Sequence, residues 1–401
     1  MPKNHLPNLK HLPLFAVLLF SAAALGLKDG RQAQAYLAYC KHNYRDAFEL
    51  YNRAGDDSGR GLVSLAQNDP DTAMEYFQKT QDQSGMGLAR LKRREYDQAK
   101  DCFIKGRDGR GLGLTHLAMH DYAQASSAFA KANDWSGMGL LELQKKNYRA
   151  ADGAFQKVGD LSGRGLCALK EKKFKEAQQF FKQGNDLNGL GIAALAKRDF
   201  GNATDYFKQA NDLSGLGQVA LAQGDFKLAK YYYEQAYDYN GLGDLYSQLH
   251  QFAMAREMFA RDYNPVKVVQ SYRNDYSIPN KNQKAIAYAQ KAISDGRMVP
   301  EVIMEMADIY YDMKEYQKGL EVLAEIKKYP GYAAEMHLRR GRIFFYLRDL
   351  PNAKKEFELV KADVTAEDYR VEEAQGALAT ISGYEKIPTQ QFQTLKPADT
   401  F

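Results

Sequence analysis

A spacing of 26 residues constrains this chain more than any other feature. Gly59, Gly85, Gly111, Gly137, Gly163, Gly189, Gly215 and Gly241 recur at that interval, and a second glycine follows each of them two positions later, from Gly61 and Gly87 through to Gly243. An aspartate stands three positions before the first glycine every time, from Asp56 and Asp82 through to Asp238. Agreement of three columns over eight successive units defines a tandem repeat. A fixed period of this size is the mark of an array in which each unit packs only on its neighbours. Such an array accommodates 401 residues without a single large core.

The second half of the unit is equally regular. An aromatic residue recurs at Tyr96, Tyr122, Tyr148, Phe174, Phe200, Phe226 and Phe252. Alanine follows three positions on, from Ala99 to Ala255, and a second aromatic four beyond that, from Phe103 to Phe259. Steps of three and four place these residues on one face of a helix. Each unit therefore predicts a helix A beginning just after the aspartate and a helix B beginning near the first aromatic. Each helix has about ten residues, near 15 Å. Isolated helices that short are marginal in water, so stacking must supply the stability. The aspartate is a good N-cap: its carboxylate accepts from backbone N–H groups and faces the positive end of the helix dipole. Glycine inside a helix costs about 1 kcal/mol relative to alanine. Its recurrence therefore implies a geometric need, with the first glycine in the opening turn and the second allowing a neighbouring helix to approach backbone to backbone. An anion cradle is the functional alternative, but no lysine follows the glycines as it would in a nucleotide loop. Asp-x-Ser-Gly-x-Gly also lacks the closing glutamate of a calcium loop. The structural columns of one unit are thus Asp82, Gly85, Gly87, Ala99 and Phe103.

These columns resemble the tetratricopeptide repeat (TPR), which pairs a small residue in helix A with an alanine twelve residues later in helix B and an aromatic four beyond. Gly87, Ala99 and Phe103 hold that spacing, and Tyr96 fits as well. The Sel1-like branch is a close relative. The departure is length, 26 residues against the family's 34, so about one turn is missing from each helix. Standard spacing returns towards the carboxyl end. Ala307, Tyr310, Tyr316, Gly319 and Leu323 make one unit, and Gly341, Phe344, Leu350, Ala353 and Phe357 make the next, 34 residues on. The resemblance implies an all-α fold, an α-solenoid superhelix of antiparallel helix pairs. Its expected organisation is an array of about nine short repeats over 28–261, an irregular helical joint over 262–298, standard-length repeats with a capping helix over 299–383, and a loose polar tail over 384–401.

Residues 1–27 form a separate segment. Lys3 and Lys10 flank an apolar run, Leu12 to Phe20, and small residues follow from Ser21 to Gly26. This is the layout of a secretory signal. The apolar stretch is slightly short for a bilayer span of about 20 residues. Three readings stand: a cleaved signal peptide, an uncleaved membrane anchor, or an apolar helix capping the solenoid. The first two place the body of the chain on the periplasmic or extracellular side.

Little else points to chemistry. No HExxH, CxxC or Gly-x-Ser-x-Gly occurs. The three cysteines, Cys40, Cys102 and Cys167, read as buried apolar residues rather than as a disulfide pair. His116 and His120 lie four apart, but no third ligand recurs beside them. The formal net charge is +5 and no dense Lys/Arg stripe appears, which argues against a nucleic-acid partner. No catalytic residue, cofactor or metal is expected, and the oligomeric state is left open.

The leading expectation is a non-catalytic interaction scaffold of a bacterial-type cell envelope that binds a protein or peptide along a concave face. TPR-like proteins line that face with helix A, and the family includes envelope proteins that assemble secretion systems, pili and polysaccharide exporters. Candidate partner-binding residues are Lys92, Gln144 and Lys170, which share the column after the conserved leucine, where Ala66, Ala118, Ala196 and Ala222 stand in other units. Tyr231 and Tyr232 join them from the densest aromatic cluster. The alternative is a carbohydrate-binding or carbohydrate-processing helical protein, for which no pair of acids is visibly placed.

Overall fold

In a computed structural model of the chain, residues 30–40, 43–363 and 368–384 are described. The amino-terminal segment and the tail beyond Tyr384 lie outside them. All regular structure among the described residues is helical, in 25 α-helices and two short 3-10 turns. They divide into two modules, the first running to Asn264 and the second from Pro265, with Met119–Tyr122 grouping with the second.

The first module contains nine helix pairs, from Gly30–Cys40 and Tyr44–Arg53 to Tyr239–Gln248 and Phe252–Arg261. Repeat 3 shows the plan, with helix A at Gln83–Lys92 and helix B at Tyr96–Lys105, ten residues each. Helix A starts where its aspartate caps it. In all eight units the aspartate Oδ1 accepts from the N–H of the first glycine, at 2.7 to 3.0 Å. Both joints of a repeat are three-residue turns. The Glu95 N–H donates to the Arg90 carbonyl at 2.9 Å, and the Asp108 N–H to the Phe103 carbonyl at 2.9 Å, the six-to-one bond that closes a helix C-terminus. The residue before each of these donors is left-handed, Arg94 at φ 62° and Arg107 at φ 53°. The same conformation recurs every 26 residues through Asn68, His120, Lys146, Lys172 and Arg198, and through Gln81, Asn133, Asn185 and Asn211.

The core is a row of aromatic rings seated in glycine slots. Phe103, on helix B of repeat 3, is 1% exposed. A Cβ added to Gly87 of its own repeat would lie 2.6 Å from the ring, and one added to Gly111 of the next repeat 2.2 Å. The ring is thus pressed between two helix A backbones, one on each side of the repeat boundary. Phe77, Phe129, Phe155, Phe181, Phe207 and Tyr233 sit between their glycine pairs in the same way. The reading of backbone meeting backbone is therefore corrected: a side chain fills the space that the two missing Cβ atoms leave. Burying an aromatic side chain is worth about 1.5–3 kcal/mol, which offsets the propensity lost at two glycines. The alanine column, from Ala47 to Ala255, is fully buried and lets helices A and B close together. The first aromatic of helix B is less buried than its spacing suggests: Tyr96 is covered, but Phe226 is 41% exposed.

Successive A helices also touch, Asp57–Ala66 with Gln83–Lys92 and so on through the module, whereas successive B helices do not approach to that extent. The A helices therefore lie on the side of smaller radius.

In the second module, Pro265–Asn274 pairs with Lys281–Ser294, and Val269, Ala285, Ala289 and Ala292 are buried between them and the next helix. The stretch read as an irregular joint contains a packed helix pair. Helices Val299–Asp312 and Ala333–Tyr346 have 14 residues each, about one turn more than their short counterparts. Phe357 occupies the slot of Gly341, as Phe103 does that of Gly87. Helix Asp368–Tyr384 closes the module by covering Phe345, Phe357 and Val360 with Ala374, Ala377 and Ile381.

The slot makes a paired prediction. Gly111→Ala should destabilise the chain by about 1–3 kcal/mol through overpacking on Phe103. Gly153→Ala, on helix Tyr148–Lys157 with nothing within 4 Å of the new Cβ, should stabilise it by up to about 1 kcal/mol. Urea unfolding of the two variants beside the parent measures both.

Candidate functional site

The repeat separates residues consumed by packing from residues free to differ. The aspartate and both glycines are used in repeats 2 to 9, and the alanine and the second aromatic in all nine. Lys92, Gln144 and Lys170 stand at the last residue of their A helices, and all three are half-buried, as are Ala66, Ala118 and Ala196 in the same column. Burial lowers the pKa of Lys170. Burial also lowers that of Lys92, while Asp262 and Asp238 act in the opposite direction and Arg94 reinforces it. The Lys92 charge thus faces carboxylates of the chain's own distant repeats. The structure does not gather the three residues into one pocket; they mark a column that runs along the A side of the array.

The tyrosine cluster lies on helix Phe226–Gln235. Tyr231 is 55% exposed, Tyr232 is half-buried, and their rings meet edge to face at 5.5 Å. Tyr233 is the ring in the glycine slot. The repeat supplies a control for Tyr231: the same position holds Glu75, Asp101, Ser127, Gly153, Gln179, Asp205 and Glu257. Leu228 and Tyr237, both exposed, also stand where other repeats carry mostly polar residues, such as Gln98, Glu176 and Asn202, or Gln81, Asn133 and Asn185. Packing does not require apolar residues at these places.

Two charged arrangements were not legible in the sequence. In repeat 3, Glu95 is 3% exposed and holds Arg90 and Arg93, each at 3.0 Å. In the second module, arginine–carboxylate pairs tie successive A-type helices. Arg273 meets Glu305 at 3.0 Å and Asp312 at 2.7 Å, Arg339 grips Asp308 through two nitrogens at 2.9 and 3.1 Å, and Arg342 and Arg370 pair with Glu373 and Glu335. The only hint was opposite charge about one standard repeat apart. Glu373, on the last described helix, belongs to this ladder.

Among the described residues no cluster of three His, Cys, Asp or Glu side chains could hold a metal ion. His120 is left-handed, at φ 57°, and its ring stacks on Tyr332 at 5.0 Å and Tyr122 at 6.0 Å. No helix among the described residues is long and apolar enough to cross a membrane. The cysteines are not all buried: Cys40 is exposed, Cys102 intermediate and Cys167 buried. Cys40 is the last residue of the first A helix.

No protein-family model matches the chain, and no curated protein sequence does. Among solved structures it is similar to yeast Tom70, at 13% identity over 93% of this chain and 99% of that one, with a TM-score of 0.47. It is also similar to the APC/C hetero-tetramer Cut9-Hcn1, at 14% identity over 90% and 91%, with a TM-score of 0.33. A third is the TPR domain of P58(IPK), at 14% identity over 89% and 99%, with a TM-score of 0.21. Likeness at this level concerns the fold alone. The chain is an all-α solenoid of TPR-like helix pairs, and that statement rests on its own helix pairing and glycine–aromatic packing.

The cysteines provide a chemical check. Burial pushes the Cys167 thiol up to about 12, with Asp152, Glu171 and Asp160 acting in the same direction and Arg164 against them. The thiolate is the reactive form. Iodoacetamide near neutral pH should therefore alkylate Cys40 at least ~10-fold faster than Cys167, and peptide mass spectrometry over time measures the ratio. Denaturation should remove the difference.

Proposed function

We propose that this chain is a non-catalytic scaffold that binds a protein or peptide partner along its helical repeats. One observation carries the reading. The invariant columns of eight successive helix pairs are spent on packing, while apolar Tyr231 and its neighbours stand exposed at positions that are mostly polar elsewhere in the array. Exposed aromatic residues that packing does not require mark interaction surfaces. The half-buried column that holds Gln144 and Lys170 on the A side is the second contact region, suited to an extended peptide or a partner's helix.

We place this scaffold in the cell envelope. The support is the basic and apolar sequence of residues 1–27, read as an export signal or anchor. Assembly of a secretion, pilus or polysaccharide-export machine is the role that such a location and architecture suit.

A photo-crosslinking residue placed at Tyr231 or Gln144 in cells should capture one and the same partner protein. The same residue at Gln179, which is the Tyr231 position two repeats earlier, should not. Tyr231→Ala should weaken binding of the purified partner by about tenfold, the scale of an aromatic anchor. Specific sugar binding on a glycan array, with no protein captured at either position, would reverse the reading in favour of a carbohydrate-binding protein.

A further inference from the structure

Within the first module the array winds round to meet itself. Arg94, in the joint of repeat 3, pairs with Asp262 at the end of repeat 9, at 3.2 Å and 168 residues away. Asp71, at the start of helix B in repeat 2, accepts from the Tyr263 hydroxyl at 2.5 Å, 192 residues away, and pairs with Arg93 at 3.4 Å. The Arg93 guanidinium lies 5.9 Å from the Tyr263 ring centroid. Tyr44 of repeat 1 feels the charge of Asp212 of repeat 8, which is again 168 residues on, as in the Arg94–Asp262 pair. One turn of the coil thus takes about six and a half repeats.

Two of the residues at this meeting point, Asp262 and Glu95, depart from their columns. The position of Asp262 is Ala54, Thr80, Gly106, Ala132, Val158, Gly184, Ala210 and Ala236 in the other repeats. Glu95 stands where Asp69, Asn147, Asp199 and Asp225 cap helix B, yet it makes no cap hydrogen bond and holds Arg90 and Arg93 instead. Burial departs as well. The joints Lys145–Asn147, Glu171–Lys173 and Gln223–Asp225 are exposed, whereas Arg93 and Arg94 are half-buried and Glu95 is buried. At the other side, Asp262 is 9% exposed, while its counterparts Gly106, Val158 and Gly184 are exposed.

We infer that Arg93, Arg94, Glu95 and Asp71 with Asp262 and Tyr263 form an electrostatic clasp that holds one superhelical turn against the next and sets the extension of the first module. Each short helix pair contacts only its neighbours, so an array of this kind stretches by small rotations at every boundary. A contact between turns restrains their sum. Ion pairs suit the purpose, because both partners remain soluble when the turns part. Glu95 supplies rigidity by fixing the Arg93 fork and Arg90 from behind, which leaves less side-chain freedom to lose when the clasp closes.

The test is a distance across the clasp in the full chain. Spin labels are placed at Asp101→Cys in repeat 3 and Ala253→Cys in repeat 9, both exposed, in a background of Cys40→Ser, Cys102→Ser and Cys167→Ala. Pulsed electron resonance should give one narrow distance in the parent. Arg94→Glu, Asp262→Arg and the isosteric Asp262→Asn should each lengthen and broaden it while circular dichroism shows unchanged helix content. The swapped pair Arg94→Glu/Asp262→Arg should restore the narrow distance. An unchanged distribution in Asp262→Asn, or a swapped pair no narrower than the single variants, would overturn the clasp.

Discussion

The structure depends on one contact, an aromatic ring pressed between glycines of two successive helices A. It is a contact across a boundary, so it does for the array what a hydrophobic core does for a globule. Helices of ten residues bury too little within one pair to persist alone. The ring makes the second glycine of its own repeat and the first glycine of the next touch the same object. Neither glycine can change without displacing the ring, and the ring cannot shrink without leaving a cavity on both sides. This explains why the motif tolerates two glycines in a short helix.

The aspartate cap serves the same contact. It binds the N–H of the very glycine that forms one wall of the slot. A single carboxylate thus starts helix A and fixes the position of the surface on which the preceding ring lies. Cap, slot and ring form one mechanical unit repeated along the first module. The second module keeps one such slot at Gly341 and Phe357 but depends more on longer helices tied by arginine–carboxylate pairs. Helices Val299–Asp312 and Ala333–Tyr346 have an extra turn on which to place those charges. The two modules show two solutions to joining helix pairs, one steric and one electrostatic.

What the sequence revealed follows from this arrangement. Asp82, Gly85, Gly87, Ala99 and Phe103 were legible because each has a chemical requirement that few residue types meet. The left-handed joint residues were not, although they recur as strictly. Asn68, Arg94, His120 and Lys146 share one backbone conformation but no side-chain chemistry, since the cost of about 1–3 kcal/mol for such a residue is met by the closing hydrogen bonds around it. Contacts between distant repeats were equally hidden. Nothing in a list of columns says which repeat meets which, and Asp262 acquires meaning only once the winding brings Arg94 to it. The candidate binding residues are legible in part. Tyr231 stands out against its own column, while Lys92 looked free in the sequence and in the fold faces Asp238 and Asp262.

Native-state hydrogen exchange on Phe155→Ala tests the slot most directly. The account predicts that protection falls most in helices Tyr148–Lys157 and Leu161–Lys170, the second of which bears the Gly163 wall of the slot, and in Trp135–Gln144, which bears Gly139. The loss should fade with each repeat outward. An equal loss in every repeat, or full protection retained in Leu161–Lys170, would show that the rings do not carry the coupling between neighbours.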